Sequence, residues 1–424
     1  MTLPNARLGA VRIAVRMLRG ATARYGVIVP SVLVAALSTH ALPRVLGGQS
    51  VSSGAPAMRA SVVVSPAFQS WKFGKPIPLD SILVTGVTQL SVPFAVQVPF
   101  ASRWTASATG AFASSTLSAE NGTGSVSRSF AGPTDLRLRA SGPLRGDGLR
   151  LTLGVNVPTG AVDLTPLQND VIRVTAAPAL DARVPIAGIG FGATAGLVFA
   201  RQIGPWAWAF GAGAEKRGRY SPLDAQIAGV DARTELDPGG AAHFSLGGDG
   251  FIGPNRVLLG VVVDVYGEDE LRQTVGTNAP RTQSYQLGPT VSASAAIEIK
   301  NERFRDLMVR VNERHRAGFR DGSGQSVAGS RGNYFDVGVS GTLGAPNARA
   351  LLLGVNARQH SGLPVDKGLI GAALTAIGAT VGVAVPADQF ALSATAELSA
   401  GRLKTQLVTT TMTSLTLGLS VSRR

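Results

Sequence analysis

The sequence predicts an all-β chain folded as a transmembrane, antiparallel, up-and-down β-barrel of 14–16 strands. Three observations point there. Charged residues make up only 16 % of the chain, against roughly 25 % in soluble globular domains, and mean hydropathy is positive at +0.20. Apolar and polar residues alternate with a period of two through long stretches, the pattern of strands with one apolar face. The connections between those stretches are alternately short and long, as in outer-membrane barrels with tight turns at one end and long loops at the other. A length of 424 residues would otherwise suggest two or three soluble domains, but no Pro-rich, Ser-rich or charged linker divides the chain. The absence of cysteine excludes a disulfide framework, a thiolate metal site and a cysteine nucleophile.

The first element reads as an address. Arg7, Arg12, Arg16, Arg19 and Arg24 precede an apolar run from Val27 to Leu37, and no acidic residue occurs before Asp80. Thr39-His40-Ala41 then supplies small residues for a cleavage site. Together these features describe a secretory signal peptide over 1–41, ahead of a barrel over 42–424. The apolar run is eleven residues long and contains Pro30, whereas a spanning helix needs about twenty. Cleavage removes five arginines and no acid, lowering the net charge from +14 to +9.

Strands follow. From Val84 the even positions carry Val84, Leu90, Val92, Phe94, Val96, Val98 and Phe100, with Thr85, Gln89, Ser91 and Gln97 between them. Leu149 to Val157 alternates with Arg150, Thr152, Gly154 and Asn156. Val257 to Val265 alternates with Gly260 and Asp264, Leu307 to Val311 with Arg310, Asn312 and Arg314, and Leu351 to Ala357 with Gly354, Asn356 and Arg358. Counting from about Ser61 to Val421 gives sixteen strands, or 14 if the 59–71 segment is set aside. An even count puts both termini on the periplasmic side. Gly368–Val385 is eighteen residues without a charge, long enough to span as a helix. Its four glycines and its Thr, Val and Ile residues favour a strand.

Short turns are expected at Ala101–Ser102, Gly142–Gly146, Gln202–Pro205, Gly253–Asn255, Lys300–Arg303, Gly344–Ala348 and Pro386–Gln389. Long, Gly-rich connections are expected near 118–132, 158–188, 220–240, 268–285, 317–332 and 360–373. The 158–188 connection is long enough to fold inward and narrow a pore. Trp206 and Trp208 alternate beside Gly204-Pro205 as candidates for an aromatic girdle.

If the apolar faces meet lipid, the alternate residues line a wet lumen. The lumen-lining candidates are Arg137, Arg139, Arg150, Asp264, Glu298, Arg310, Arg314, Asp336 and Arg358, with Gln89, Asp135 and Asn156 also turned inward. Arg137, Arg139 and Arg150 lie on neighbouring strands, Arg310, Arg314 and Arg358 form a second basic sector, and the carboxylates are interleaved. Opposed charges across a narrow lumen create a field that biases which ions pass. The plainer reading is that many of them pair across strands.

No catalytic, cofactor or metal site emerges. His40, His243, His315 and His360 are scattered without metal-ligand spacing, and no GxSxG or GxxxxGK[ST] occurs. His243 and Ser245 share a strand face and resemble, over three residues, the His-x-Ser of outer-membrane lipid deacylases. The arginines are dispersed rather than gathered with stacking aromatics, which argues against a nucleic-acid partner.

Gly132-Pro133-Thr134-Asp135-Leu136-Arg137-Leu138-Arg139, followed by Leu153-Gly154-Val155-Asn156-Val157-Pro158-Thr159-Gly160, resembles a hairpin-and-loop signature. The signature is that of the phenol-degradation and fatty-acid-type outer-membrane transporter barrels. The likeness continues from Ile189-Gly190-Phe191 through Gly204-Pro205-Trp206 and is clear over about 132–220. Thr416-x-Gly418-x-x-Val421 resembles the terminal strand by which the barrel-insertion machinery recognises such chains, with Ser422-Arg423-Arg424 where a final aromatic is expected. The resemblance implies diffusion of small, often hydrophobic or aromatic compounds across an outer membrane. The expected function is passive passage of small solutes, with outer-membrane lipid as surroundings. The alternatives are a closed structural or surface-interaction barrel and a barrel enzyme acting on envelope lipid.

Overall fold

The computed structural model describes residues 60–424, apart from 80–81, 102, 147, 185–186, 228–229, 328–329, 345–347, 362–368, 370, 388–389 and 424. The expected signal peptide lies outside the described residues. Strands β1 (Ser61–Val64) and β2 (Ala67–Leu79) run end to end, followed by β3 (Ile82–Phe100) and β4 (Trp104–Asn121). Strands β5 (Gly124–Pro133) and β6 (Leu136–Arg145) share β4 as a neighbour, β5 along one half and β6 along the other, with a break at Thr134-Asp135. The chain continues through β7 (Leu149–Val157), helix α1 (Pro166–Thr175), β8 (Gly192–Ile203), β9 (Trp206–Arg217), β10 (Tyr220–Ile227), β11 (Val230–Asp237), β12 (Ala241–Ile252) and β13 (Asn255–Tyr266). Then come β14 (Glu268–Val275), β15 (Arg281–Gln286), β16 (Thr290–Ile299), β17 (Leu307–Arg316), β18 (Arg320–Asp321), β19 (Gly332–Leu343) and β20 (Ala350–His360). Strands β21 (Ala373–Ala387), β22 (Phe390–Lys404) and β23 (Thr409–Arg423) complete the order.

Counting β1–β2 and β5–β6 each as one interrupted stave, sixteen antiparallel staves close into a barrel. Closure is made by β2 against β23, from Ala67 opposite Gly418 to Phe73 opposite Met412. A closed sheet has no free edge, the condition for crossing a bilayer with strands. The uncharged 368–385 segment is strand from Ala373 onward, as β21, and the weak 59–71 segment supplies β1 and the start of β2.

Alternation puts one apolar face outward. Leu90, Leu153, Leu259, Val339, Leu353, Val381 and Leu419 are all exposed on the outside of the wall. One parity differs from the sequence reading. A bulge at Thr85 shifts the β3–β4 register, so Leu83 is outside at 42 % exposure while Val84 is inside at 0 %. Beside the short turns the outer face carries an aromatic collar. Trp206 and Trp208 stack at 5.7 Å; a Cβ on Gly250 or Gly248 would collide with their rings, and one on Gly142 with Trp104. Large rings thus lie flat over cross-strand glycines, a device that covers bare backbone.

The connections at the other end correct three expectations. The 118–132 segment is the tip of the β4–β5 hairpin, with its turn at Gly122-Thr123. The 220–240 and 268–285 segments are hairpins as well. With β18 they make a separate five-stranded sheet, β10-β11-β14-β15-β18, around Leu236, Leu271, Leu287 and Phe319.

The 158–188 connection does fold inward, and it contains a helix that the sequence reading missed. Thr165 caps α1 through a reciprocal capping box with Gln168, and Pro166 occupies its first turn. Val171, Ile172 and Val174 of α1, with Leu164, Leu180 and Val184 flanking it, pack on Trp71, Ile77, Val84, Leu117, Leu403 and Met412 of the inner wall. The inner face is therefore not uniformly polar. On β2–β5 and β21–β23 it is largely an apolar seat for the inward loop, with Arg128 of β5 and Glu397 of β22 as charged exceptions, and most of the charge lies on the remaining arc.

Candidate functional site: the barrel lumen

The inward loop is suspended by polar clasps. Asp135, at the β5–β6 break, accepts the Gly160 amide through Oδ1 at 2.9 Å and the Ile189 amide through Oδ2 at 2.7 Å. Asn156 Nδ2 donates to the same Oδ2 at 2.8 Å. The two loop ends cross at glycines: a Cβ on Gly160 would stand 2.7 Å from Gly188 Cα, and one on Gly188 2.7 Å from Asp135 Oδ1. Further along, the Arg183 amide donates to Gln69 Oε1 at 2.8 Å, and Gln89 Nε2 donates to Val184 carbonyl oxygen at 3.0 Å. Arg128 of β5 pairs with Asp170 of α1. Arg358 of β20 donates to Asp181 at 3.2 Å, tying the loop to the opposite arc.

The lumen-lining candidates fall into separate places. Arg137 and Arg139 lie opposite Asn156 and Gly154, whereas Arg150 lies opposite Pro143, six residues further down β7. Along the strand that is about 20 Å from the level of Arg137 and about 14 Å from that of Arg139, so Arg150 is not brought together with the other two. Arg310 stands 3.7 Å from Asp336, which also accepts from Asn312 Nδ2 at 3.2 Å. Arg358 is in register with Asp336, but its guanidinium pairs with Asp181, so of these three it is Arg310 and Asp336 that meet. Glu298 lies opposite Arg256 near the short turns, where Arg256 forks onto Asp249 at 2.8 and 2.5 Å. Asp264 is buried and 2.7 Å from His243 Nδ1.

Toward the loops, β13, β16, β17, β19 and β20 line an open recess with Pro178 of the inward loop on its far side. Arg314 and Arg316 line it, together with Tyr266, Tyr334, Asp264 and His360. Arg316, His360, Glu215 and Arg217 were missed as lumen residues. Each carried a signal, since each extends a period-two row or precedes a loop: Arg316 follows Arg314, His360 follows Arg358, and Arg217 follows Glu215 by two.

His243 and Ser245 share the inner face of β12. The imidazole, however, is directed to Asp264 through Nδ1 and to Glu215, 3.7 Å from Nε2. Each ring nitrogen thus faces a carboxylate. In the five-stranded sheet, outside the barrel wall, burial pushes the Asp269 carboxyl up, while the Gly239 amide donating to it at 2.6 Å and the nearby Arg217 act in the opposite sense.

No family model matches the chain, and no curated protein matches it. Solved structures with a similar outline include OccK11 (OpdR) of Pseudomonas aeruginosa, at 11 % identity over 86 % of this chain and 95 % of that one, with a TM-score of 0.39. The P. putida toluene transporter TodX is 12 % identical over 87 % and 91 %, with a TM-score of 0.38. An anion-selective porin from Comamonas acidovorans is 11 % identical over 85 % and 98 %, with a TM-score of 0.36. With every score below 0.5, the barrel assignment rests on the strand register described above.

Proposed function

We propose that the chain is a passive outer-membrane channel for small solutes, narrowed from within by the 158–191 loop. The carrying observation is the two-faced wall. Its outside is an apolar band, while the arc of its inside that faces away from α1 is lined by arginines with fewer carboxylates. The outward row Val257 to Val265 covers eight residue steps of β13, about 27 Å along the strand and about 20 Å of height at a tilt near 40°. A band of this kind is stable against acyl chains and costly against water. No energy source is needed, because the mechanism is diffusion through a field set by fixed charges. Small hydrophobic or aromatic solutes fit the resemblance of the 132–220 region, and secretion through a signal peptide fits residues 1–41. Non-enzymatic action is part of the same reading, because His243 is engaged by Asp264 and Glu215.

Conductance of protein purified from outer membranes, recorded in planar bilayers under two salt gradients, tests this. Stepwise currents with a reversal potential of anionic sign are expected. A silent, heat-modifiable, fully β-structured preparation would favour the closed-barrel reading, which the helix packed inside the wall supports. Recovery of the chain in soluble fractions alone would defeat both.

A further inference from the structure

Arg314 and Arg316 occupy alternate positions of β17 and so project to the same side of the wall. Two like charges on adjacent inward positions repel, and drawing a guanidinium out of water is costly unless an anion meets it. Among the described residues neither has a carboxylate within ion-pair distance, and Arg316 Nε is buried with no hydrogen-bond partner. What they meet are rings: Arg314 lies 5.7 Å from the Tyr334 centroid and Arg316 5.4 Å from that of Phe319. The carboxylate that shares the recess, Asp264, is engaged by His243. Across the register, Ser292 faces Arg314 and Thr290 faces Arg316.

We propose that Arg314 and Arg316, with Ser292, Thr290, Tyr334 and Tyr266 around them, form a lumenal site for a small carboxylate with a flat apolar body. The proposal rests on the channel reading and names a class of solute for it. Guanidinium forks take a carboxylate through paired N–H donors, which a neutral solute does not reward. The two hydroxyls add donors to the same group, and the tyrosine rings with Pro178 offer flat apolar surface to the rest of the molecule.

Benzoate is the probe, and benzamide, of the same shape but uncharged, is its control. In planar bilayers benzoate should reduce the single-channel current saturably and benzamide should not. Arg316→Gln should raise the half-blocking concentration about tenfold or more. Arg316→Lys, which keeps the charge and loses the fork, should fall between, and both variants are first checked for heat-modifiable migration. Titration calorimetry of the detergent-solubilised protein with benzoate reads the site without any current. A silent bilayer with benzoate binding intact would defeat the channel reading and leave the site standing. A conducting channel indifferent to benzoate, or one that responds equally to benzamide or to inorganic phosphate, would overturn the site and leave the channel.

Discussion

Asp135 Oδ2 stands 2.7 Å from the Ile189 amide while its Oδ1 takes the Gly160 amide at 2.9 Å, so one carboxylate holds both ends of the inward loop. The Pro-Thr-Gly turn and the Asp-Leu-Arg strand start noted in the sequence are thereby two halves of one fastening. Gly160 and Gly188 are glycines because their backbones cross beneath that carboxylate.

Asp135→Ala would leave the Gly160 and Ile189 amides without an acceptor and strip Asn156 Nδ2 of one of its two, the Gly190 carbonyl oxygen remaining, at a cost of about 2–4 kcal/mol. The loop should then come away from the wall. Tryptic cleavage at Arg173 and Arg183 of the folded protein is the measurement, with rapid cutting in the variant and slow cutting in the parent expected. Equal resistance in both would refute the clasp.

Val171 is fully buried between α1 and the inner wall. Val171→Asp places a carboxylate in that seam, a change worth several kcal/mol against seating the helix. The barrel itself should still migrate as a heat-modifiable species. Its conductance in bilayers should rise several-fold as the helix leaves the lumen, and unchanged conductance would place the narrowing elsewhere.

Leu259 points outward from the middle of β13, and Leu258 inward. In a bilayer, Leu259→Arg should cost about 2–4 kcal/mol, read as a lowered urea midpoint for protein in lipid vesicles. Leu258→Arg should cost less, since it meets the lumen. The reverse ranking would turn the barrel inside out and end the membrane reading.

Asp269 offers a test against pH. Its folded carboxyl is raised by burial above the unfolded value, near 3.9, so the five-stranded sheet gains most from it below that value. That gain is lost as pH rises through the raised folded value, because the ionised form is the disfavoured one in the folded sheet. Amide exchange in β14, corrected for intrinsic pH dependence, should show protection falling with rising pH. Asp269→Asn should flatten the profile.

The staves were readable in the sequence because lipid on one face and water on the other impose a strict two-residue period, as in β7, β13, β17 and β20. The period failed at Thr85, where a bulge flips parity without changing composition. Helix α1 was hidden because Val171, Ile172 and Val174 are too few to make a helical stripe stand out in a long connection, although Thr165-Pro166-x-Gln168 was a visible start signal. Strands β10, β11, β14 and β15 are largely polar, so nothing in their pattern separated them from loop. The charged candidates were legible as inward residues, but not as partners. That Arg310 meets Asp336 and Arg150 stands apart from Arg137 depends on register between strands, which no single strand encodes.

The seat of α1 has a further consequence for assembly order. The apolar cluster it belongs to draws on β2–β5 at the start of the chain and on β21–β23 at its end, and these two groups meet where the β1–β2 stave pairs with β23. The inward loop, helix included, therefore shares one apolar cluster with both groups, and the last strands of the chain complete it. Closing the cylinder and completing that cluster draw on the same strands. A chain halted before β21 would carry a helix with half a berth.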